Sequence, residues 1–349
     1  MIKSIQYLRG LAALAVVLFH ASGAILVHYA VEQKNFYSWG EAGVDLFFII
    51  SGFIMVYITF NKDVGVADFL YKRFVRIYPI FYVYATIALI IFIISPDSIN
   101  RSAAEPTKIL PSYLLIPYTN HTNLVLVAWT LVYEVHFYIL FALSLLLMNK
   151  YRYIFTGFIL SALSISSLVK YDSFYLHYIS SPIILEFLLG MIIYFLVYNR
   201  SDKNLWFLIF FFMIAIFSLF FNGVVPERLV SYGAISFLLM FSVLLIEVKG
   251  GFEIDNIFSK FLMKLGDSSY SLYLSHLFVL GASVIILNKL HFINNSTVQI
   301  MIILLTGGAI AWGWLSYRFI EKPIISFFMQ NGLTKWFLKR KERGVDLVN

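Results

Sequence analysis

An arginine and a histidine interrupt the first apolar stretch of this chain. Between Ile5 and Val27 nearly every side chain is hydrophobic or small, yet Arg9 and His20 lie within it, eleven residues apart. Eleven helical steps of about 100° return to within about 20° of the starting face and rise roughly 16 Å, so both side chains point the same way at two depths. In a membrane a charge at the bilayer centre costs about 2.5–3.5 kcal/mol, and ionisable residues there mark functional paths. An imidazole can take a proton from a hydroxyl or carry a transferred group on nitrogen. A guanidinium fork can grip a phosphate with paired hydrogen bonds. Other residues of these types sit in later apolar stretches: Asp45, Glu134, Glu186, His276, and the close pair Arg73 and Arg76. The chain has no cysteine, so any nucleophile is oxygen or nitrogen, and thiolate-bound metal is excluded. No metal is expected.

The elements that must position these residues follow from composition. Of 349 residues, 60% are hydrophobic and only 13% charged, with a mean hydropathy of +0.83, whereas soluble domains carry about 25% charged residues. The chain therefore reads as an all-α polytopic integral membrane protein. A spanning helix needs about 20 mostly apolar residues, and stretches of that kind lie at 5–27, 43–60, 78–95, 128–148, 152–169, 180–198, 204–221, 229–247, 268–288 and 298–319. About ten transmembrane helices are expected, the first a retained helix rather than a cleaved signal. The 96–127 segment has room for a further partial or re-entrant element. Residues 1–330 form one transmembrane domain and 331–349 a short basic tail. No internal repeat of fixed period is present, which leaves an inverted-repeat transporter architecture unsupported.

Lys and Arg accumulate in cytoplasmic loops. With the N-terminus inside, twenty of the 26 Lys and Arg residues fall on the cytoplasmic side and six outside; without the tail the ratio is fifteen to six. Both termini are expected to be cytoplasmic. The net charge of +7 then has anionic inner-leaflet lipid as its partner, not nucleic acid. This orientation puts Arg9, Arg73, Arg76 and Arg318 toward the cytoplasm, and His20, Asp45, Glu134 and Glu186 in the outer half, with His276 at middle depth. A cationic inner mouth below a histidine and carboxylate region suits an anionic donor delivered from the cytoplasm. Each feature also has a plainer reading: the arginines as lipid anchors, Glu186 as a structural hydrogen-bond partner, His276 as a packed core histidine. His28, His121, His136, His177 and His291 have no comparable setting.

Six motifs in order resemble the membrane-bound acyltransferase family 3. Helix one carries Tyr7-Leu8-Arg9-Gly10 followed by His20, an arginine, ten residues, then a histidine. Helix two reads Gly43-Val44-Asp45-Leu46-Phe47-Phe48-Ile49-Ile50-Ser51-Gly52-Phe53, and the paired-arginine loop is Arg73 and Arg76 before Ile77 and Pro79. Helix four has Trp129-Thr130-Leu131-Val132-Tyr133-Glu134 with Phe137-Tyr138, helix nine has Gly266, Ser269, Tyr270, Tyr273 and His276, and Tyr317 to Pro323 closes the tenth. The departures are Thr130 for serine, Val135 for a second acid, and Lys72 for arginine. The wording of helices one and four is most similar to members that decorate exopolysaccharide, O-antigen or lipopolysaccharide.

That resemblance implies an O-acyltransferase, an O-acetyltransferase in particular, of the bacterial inner membrane. It would move an acyl group from cytoplasmic acetyl-CoA, or a succinyl or other short acyl-CoA, to a hydroxyl of a surface polysaccharide or its lipid-linked glycan precursor. His20, Glu134 and Asp45 become the catalytic set, with His20 as general base or transient acyl carrier and an acid orienting it. Arg9, Arg73, Arg76, Ser269, Tyr270, His276 and Arg318 become donor-binding residues. The alternatives from the residue types alone are a proton-coupled transporter and a glycan flippase or polymerase.

Overall fold

Inside hydrocarbon every backbone N–H and C=O must be satisfied within the chain, so a sequence this apolar folds as helices. A computed structural model describes residues 2–29, 37–96, 99, 107–118, 123–169, 171–250, 256–290 and 297–331. The protein is all-helical, with no strand among the described residues. In chain order the helices are α1 (Lys3–Tyr29), α2 (Ala42–Thr59), α3 (Val66–Ile94), α4 (Ile109–Leu114), α5 (Trp129–Ser144), α6 (Asn149–Ser166), α7 (Phe174–Ile179), α8 (Leu185–Tyr198), α9 (Lys203–Phe221), α10 (Ala234–Val248), α11 (Ile257–Asp267), α12 (Ser269–Leu290), α13 (Val298–Ser316) and α14 (Lys322–Asn331). The predicted tail falls outside the described residues beyond Asn331, as do Lys34, Arg101, Lys170, His121 and His291. The short α4 lies within 96–127.

Two compact units form. One comprises Met1–Ile58 and Tyr153–Tyr317, the other Thr59–Arg152 and Arg318–Asn349. In the first, α1 is the hub. Its stripe Ala13, Val17, Ala21 and Ile25 repeats every four residues and packs on Leu265, Leu272, Leu280 and Val284 and on Val298, Ile302, Leu305 and Ala309 of α13, ridges of one helix filling grooves of the next. Glu247, at the end of α10, accepts from the backbone N–H groups of Lys3 (3.1 Å) and Ser4 (3.2 Å) and from the Ser4 hydroxyl, so a distant residue caps the open start of α1. In the second unit, Phe69 of α3 stacks on Phe141 of α5. Tyr71 donates to the Phe328 carbonyl of α14 at 2.8 Å. Arg152, counted from sequence among the positive-inside residues, is only 5% exposed and donates to the carbonyls of Lys62 (3.2 Å), Leu147 (3.3 Å) and Leu145 (3.5 Å).

Among the described residues nine stretches, not ten, have the length and apolarity of a membrane span. The exception is α6, whose only 18-residue window starts with Asn149, Lys150 and Arg152. Helix directions restore it as a crossing. Along α2 and α8, Ile49 meets Gly190, Phe53 meets Tyr194 and Tyr57 meets Tyr198, so the two helices run parallel. Between them α3 and α5 supply two crossings, which alone would leave α8 antiparallel to α2. A third is required, and α6 provides it: Tyr153 contacts Phe195 and Gly157 lies against Leu188, so α6 runs antiparallel to α8.

A second difference concerns the basic segment before Pro79, expected as a loop ahead of a helix beginning at residue 78. The helix begins at Val66, and Arg73 and Arg76 lie on it. Phe69, Ile77 and Ile80 are buried at helical spacing, an Asp68–Lys72 pair at 2.6 Å bridges one turn, and Pro79 is accommodated inside α3.

Gly52 and Gly190 line a close crossing of α2 and α8. A Cβ on Gly190 would lie 1.9 Å from the Ile49 carbonyl oxygen, and one on Gly52 would lie 2.0 Å from that of Phe187. Backbone cannot step aside as a side chain can, and small residues allow such approach between membrane helices. Gly190→Ala is expected to destabilise by at least about 1–3 kcal/mol, read as a lowered thermal midpoint of the detergent-purified protein; an unchanged midpoint would contradict this crossing.

Candidate active site

Continuous helix from Lys3 to Tyr29 places Arg9 and His20 on one face of α1, and α12 receives both. At one level Arg9, 9% exposed, donates through Nη2 to the Ser269 hydroxyl at 2.8 Å and through Nη1 to Gln6 Oε1 at 3.0 Å. Gln6 in turn donates to Asp267 Oδ1 at 2.9 Å. About two turns along α12, His276 meets His20: Nε2 of His276 is 3.1 Å from Nδ1 of His20, with ring centroids 5.0 Å apart. Because residues 9 and 20 pair with 269 and 276 in the same order, α1 and α12 run parallel. The two histidines are thereby held at one depth.

Each ring is also tied to its own helix. His20 Nδ1 lies 3.1 Å from the Val16 carbonyl oxygen, and His276 Nδ1 lies 3.2 Å from that of Leu272. His276 is fully buried, while His20 is partly exposed and its Nε2 makes no hydrogen bond among the described residues. The Tyr273 ring packs between His276 and Phe47 of α2, at 6.0 and 6.1 Å. Tyr270 is half buried with contacts of its own.

Asp45 belongs to a different cluster. It is fully buried and accepts from Arg228 Nε at 3.0 Å and Nη2 at 2.7 Å. The same guanidinium donates to the Glu41 carbonyl oxygen at 3.1 Å and to Glu41 Oε2 at 3.3 Å. Glu186 is also fully buried, and neither of its carboxyl oxygens has a hydrogen-bond partner among the described residues. Arg228 directly precedes a π-helical turn, Leu229–Gly233, that opens into α10; such turns recur at functional sites. Asp45 thus serves Arg228, and the group on His20 is not an acid but His276.

The remaining predicted residues lie in the other unit. Glu134 of α5 accepts a hydrogen bond from Tyr138 one turn later. The Arg73 guanidinium lies over the rings of Phe69 (5.8 Å) and Tyr138 (5.5 Å), and Arg76 adds a second positive charge near Tyr138. Arg73 Nε is buried and has no hydrogen-bond partner among the described residues. Arg318 lies over Phe319, 5.7 Å from the ring centre, in the π-helical turn Tyr317–Glu321. Among the described residues no three His, Asp or Glu side chains converge as a metal site requires.

Arg228, Gln6 and Asp267 have no place in the sequence reading. Arg228 counts there only as one of the six outer-side cations.

The acyltransferase 3 family, described as an acyltransferase domain, matches residues 2–318. Exopolysaccharide production protein ExoZ of Rhizobium meliloti (strain 1021) is 30% identical over 133 residues, 37% of this chain and 41% of that protein, so the match spans about two-fifths of that relative's length. No solved structure matches the chain.

Proposed function

As the chain belongs to the acyltransferase 3 family, we propose that it is an acyl-CoA-dependent O-acyltransferase, with acetyl-CoA as donor and a hydroxyl of a surface polysaccharide or its lipid-linked precursor as acceptor. The similarity to an exopolysaccharide production protein supports this acceptor class. The protein is placed in the bacterial inner membrane with both termini in the cytoplasm, as the Lys and Arg distribution favours.

One observation carries the reading: in an otherwise apolar span, His20 is anchored through Nδ1 and keeps Nε2 uncommitted. An imidazole held this way takes the proton of the acceptor hydroxyl as its oxygen attacks the thioester carbonyl. The new C–O ester bond forms, the C–S bond breaks, and the imidazolium returns the proton to the departing thiolate as the CoA thiol. In the alternative route the imidazole nitrogen attacks the thioester carbonyl first and the C–S bond breaks to release the CoA thiolate. The acceptor hydroxyl oxygen then attacks the acyl carbon, the C–N bond breaks to restore the neutral imidazole, and the hydroxyl proton goes to the thiolate to give the CoA thiol.

Arg73 and Arg76 suit the donor phosphates. A buried guanidinium nitrogen lacking a partner costs free energy unless something accepts from it, and phosphate oxygens are such acceptors. Arg9, already bonded to Gln6 and Ser269, contributes positive charge and ties α1 to α12. The direct test is incubation of purified protein with acetyl-labelled acetyl-CoA and glycan acceptor. Label on the acceptor, or slow release as acetate without it, supports the reading, and neither would refute it. Replacing both Arg73 and Arg76 with Ala is expected to raise the donor KM by about tenfold or more, since each charge-assisted bond contributes about 1.5–3 kcal/mol; unchanged donor dependence would assign the pair to lipid anchoring.

A further inference from the structure

The two histidines constrain each other's protons. The Nδ1 of His276 faces the Leu272 carbonyl oxygen, which only accepts, so this nitrogen carries the hydrogen. In a neutral imidazole the other nitrogen is then bare and accepting, and that nitrogen, Nε2, is the one directed at His20 Nδ1. His20 Nδ1 therefore faces two acceptors, His276 Nε2 and the Val16 carbonyl oxygen, each at 3.1 Å. Both require the hydrogen on His20 Nδ1, which leaves its lone pair on Nε2, the nitrogen without a hydrogen bond among the described residues. Tautomers are assigned through such networks.

We propose that His276 is a positioning residue that fixes His20 in the Nδ1–H tautomer and supports it when Nε2 gains a proton. The proposal rests on His20 acting as base or acyl carrier. His276 stands where an acid holds the catalytic histidine in a serine-histidine-aspartate triad, but it offers a neutral nitrogen. In the transfer step His20 Nε2 accepts the hydroxyl proton, positive charge spreads to Nδ1–H, and the bond to His276 Nε2 becomes charge-assisted. No proton passes to His276, and Nε2–H later protonates the thiolate. Complete burial of His276 excludes water, which would otherwise compete for the same nitrogen.

The test combines a spectroscopic and a kinetic arm. In lipid-embedded protein labelled with 15N-histidine, the His20 signals, identified by their loss in His20→Ala, are expected to show a protonated Nδ1 and an imine-like Nε2. The opposite tautomer would overturn the proposal. His276→Leu keeps the volume and removes the acceptor; kcat is expected to fall about 10- to 100-fold, with donor KM unchanged. His276→Gln, whose side-chain oxygen can accept from Nδ1–H, is expected to recover part of that loss. A Leu variant at full rate, or a Gln variant no better than Leu, would also overturn it. An active His20→Ala enzyme would instead remove the functional reading beneath, so the two failures are distinguishable.

Discussion

His20→Ala is expected to lower acyl transfer by at least about 100-fold while the protein remains folded in the membrane. His20 is partly exposed; its bonds are to the Val16 carbonyl and to His276, and its ring touches Phe19 and His276. The size of the loss separates the two routes. Removing a general base costs about 10²–10⁴ in rate, whereas removing a nucleophile has cost about 10⁶ in a serine protease. A residual rate in the first range, with no acyl-protein trapped in a rapid quench of the native enzyme, assigns proton transfer. A loss near the second, with label on His20 in the quench, assigns an N-acyl intermediate. Full activity without His20 would remove it from the mechanism.

The second large effect is on stability. Asp45 and Arg228 are 183 residues apart in the chain and joined by two hydrogen bonds in the fold. Asp45 is fully buried and Arg228 is 30% exposed, so the cost of about 3–5 kcal/mol for leaving a buried charge without compensation applies to loss of Arg228, which strands the Asp45 carboxylate, and less to loss of Asp45. Asp45→Ala leaves Arg228 facing Glu41 and brings Glu186 no replacement. Arg228→Ala leaves Asp45 and Glu186 together with no guanidinium. Arg228→Ala is expected to lower the thermal midpoint sharply and Asp45→Ala less so, because Arg228 is 30% exposed and keeps Glu41, and Asp45→Leu combined with Arg228→Met is expected to lose much less than the sum of its single changes. Strict additivity in that double-mutant cycle would show the pair to be energetically uncoupled.

Much of this organisation was legible beforehand, because the features involved are local. Arg9 and His20 share a face since eleven residues close three helical turns, and any helix over that stretch repeats the result. The signature around Asp45 was also visible, but its meaning was not. Gly43 and Gly52 in that signature are where α2 touches neighbouring backbone, Gly43 against the Ala12 carbonyl and Gly52 against that of Phe187. The start of α3 differs from the sequence expectation for a physical reason as well: Lys72, Arg73 and Arg76 lower its apolarity, yet Phe69 before them and Ile77 and Ile80 after them are buried at helical spacing within one continuous helix from Val66.

By itself the sequence determined that this is a helical membrane protein of the acyltransferase 3 type, with an arginine and a histidine on one face of its first helix. Hydrocarbon forbids unsatisfied backbone, and periodicity sets the face. Only the tertiary structure decided which groups those residues meet. His276 reaches His20 across 256 residues, Arg228 takes Asp45, and α6 emerges as a crossing from the directions of its neighbours. Such pairings depend on how closely and in which direction helices pack, which the interhelical contacts set and the spacing along a single helix does not contain.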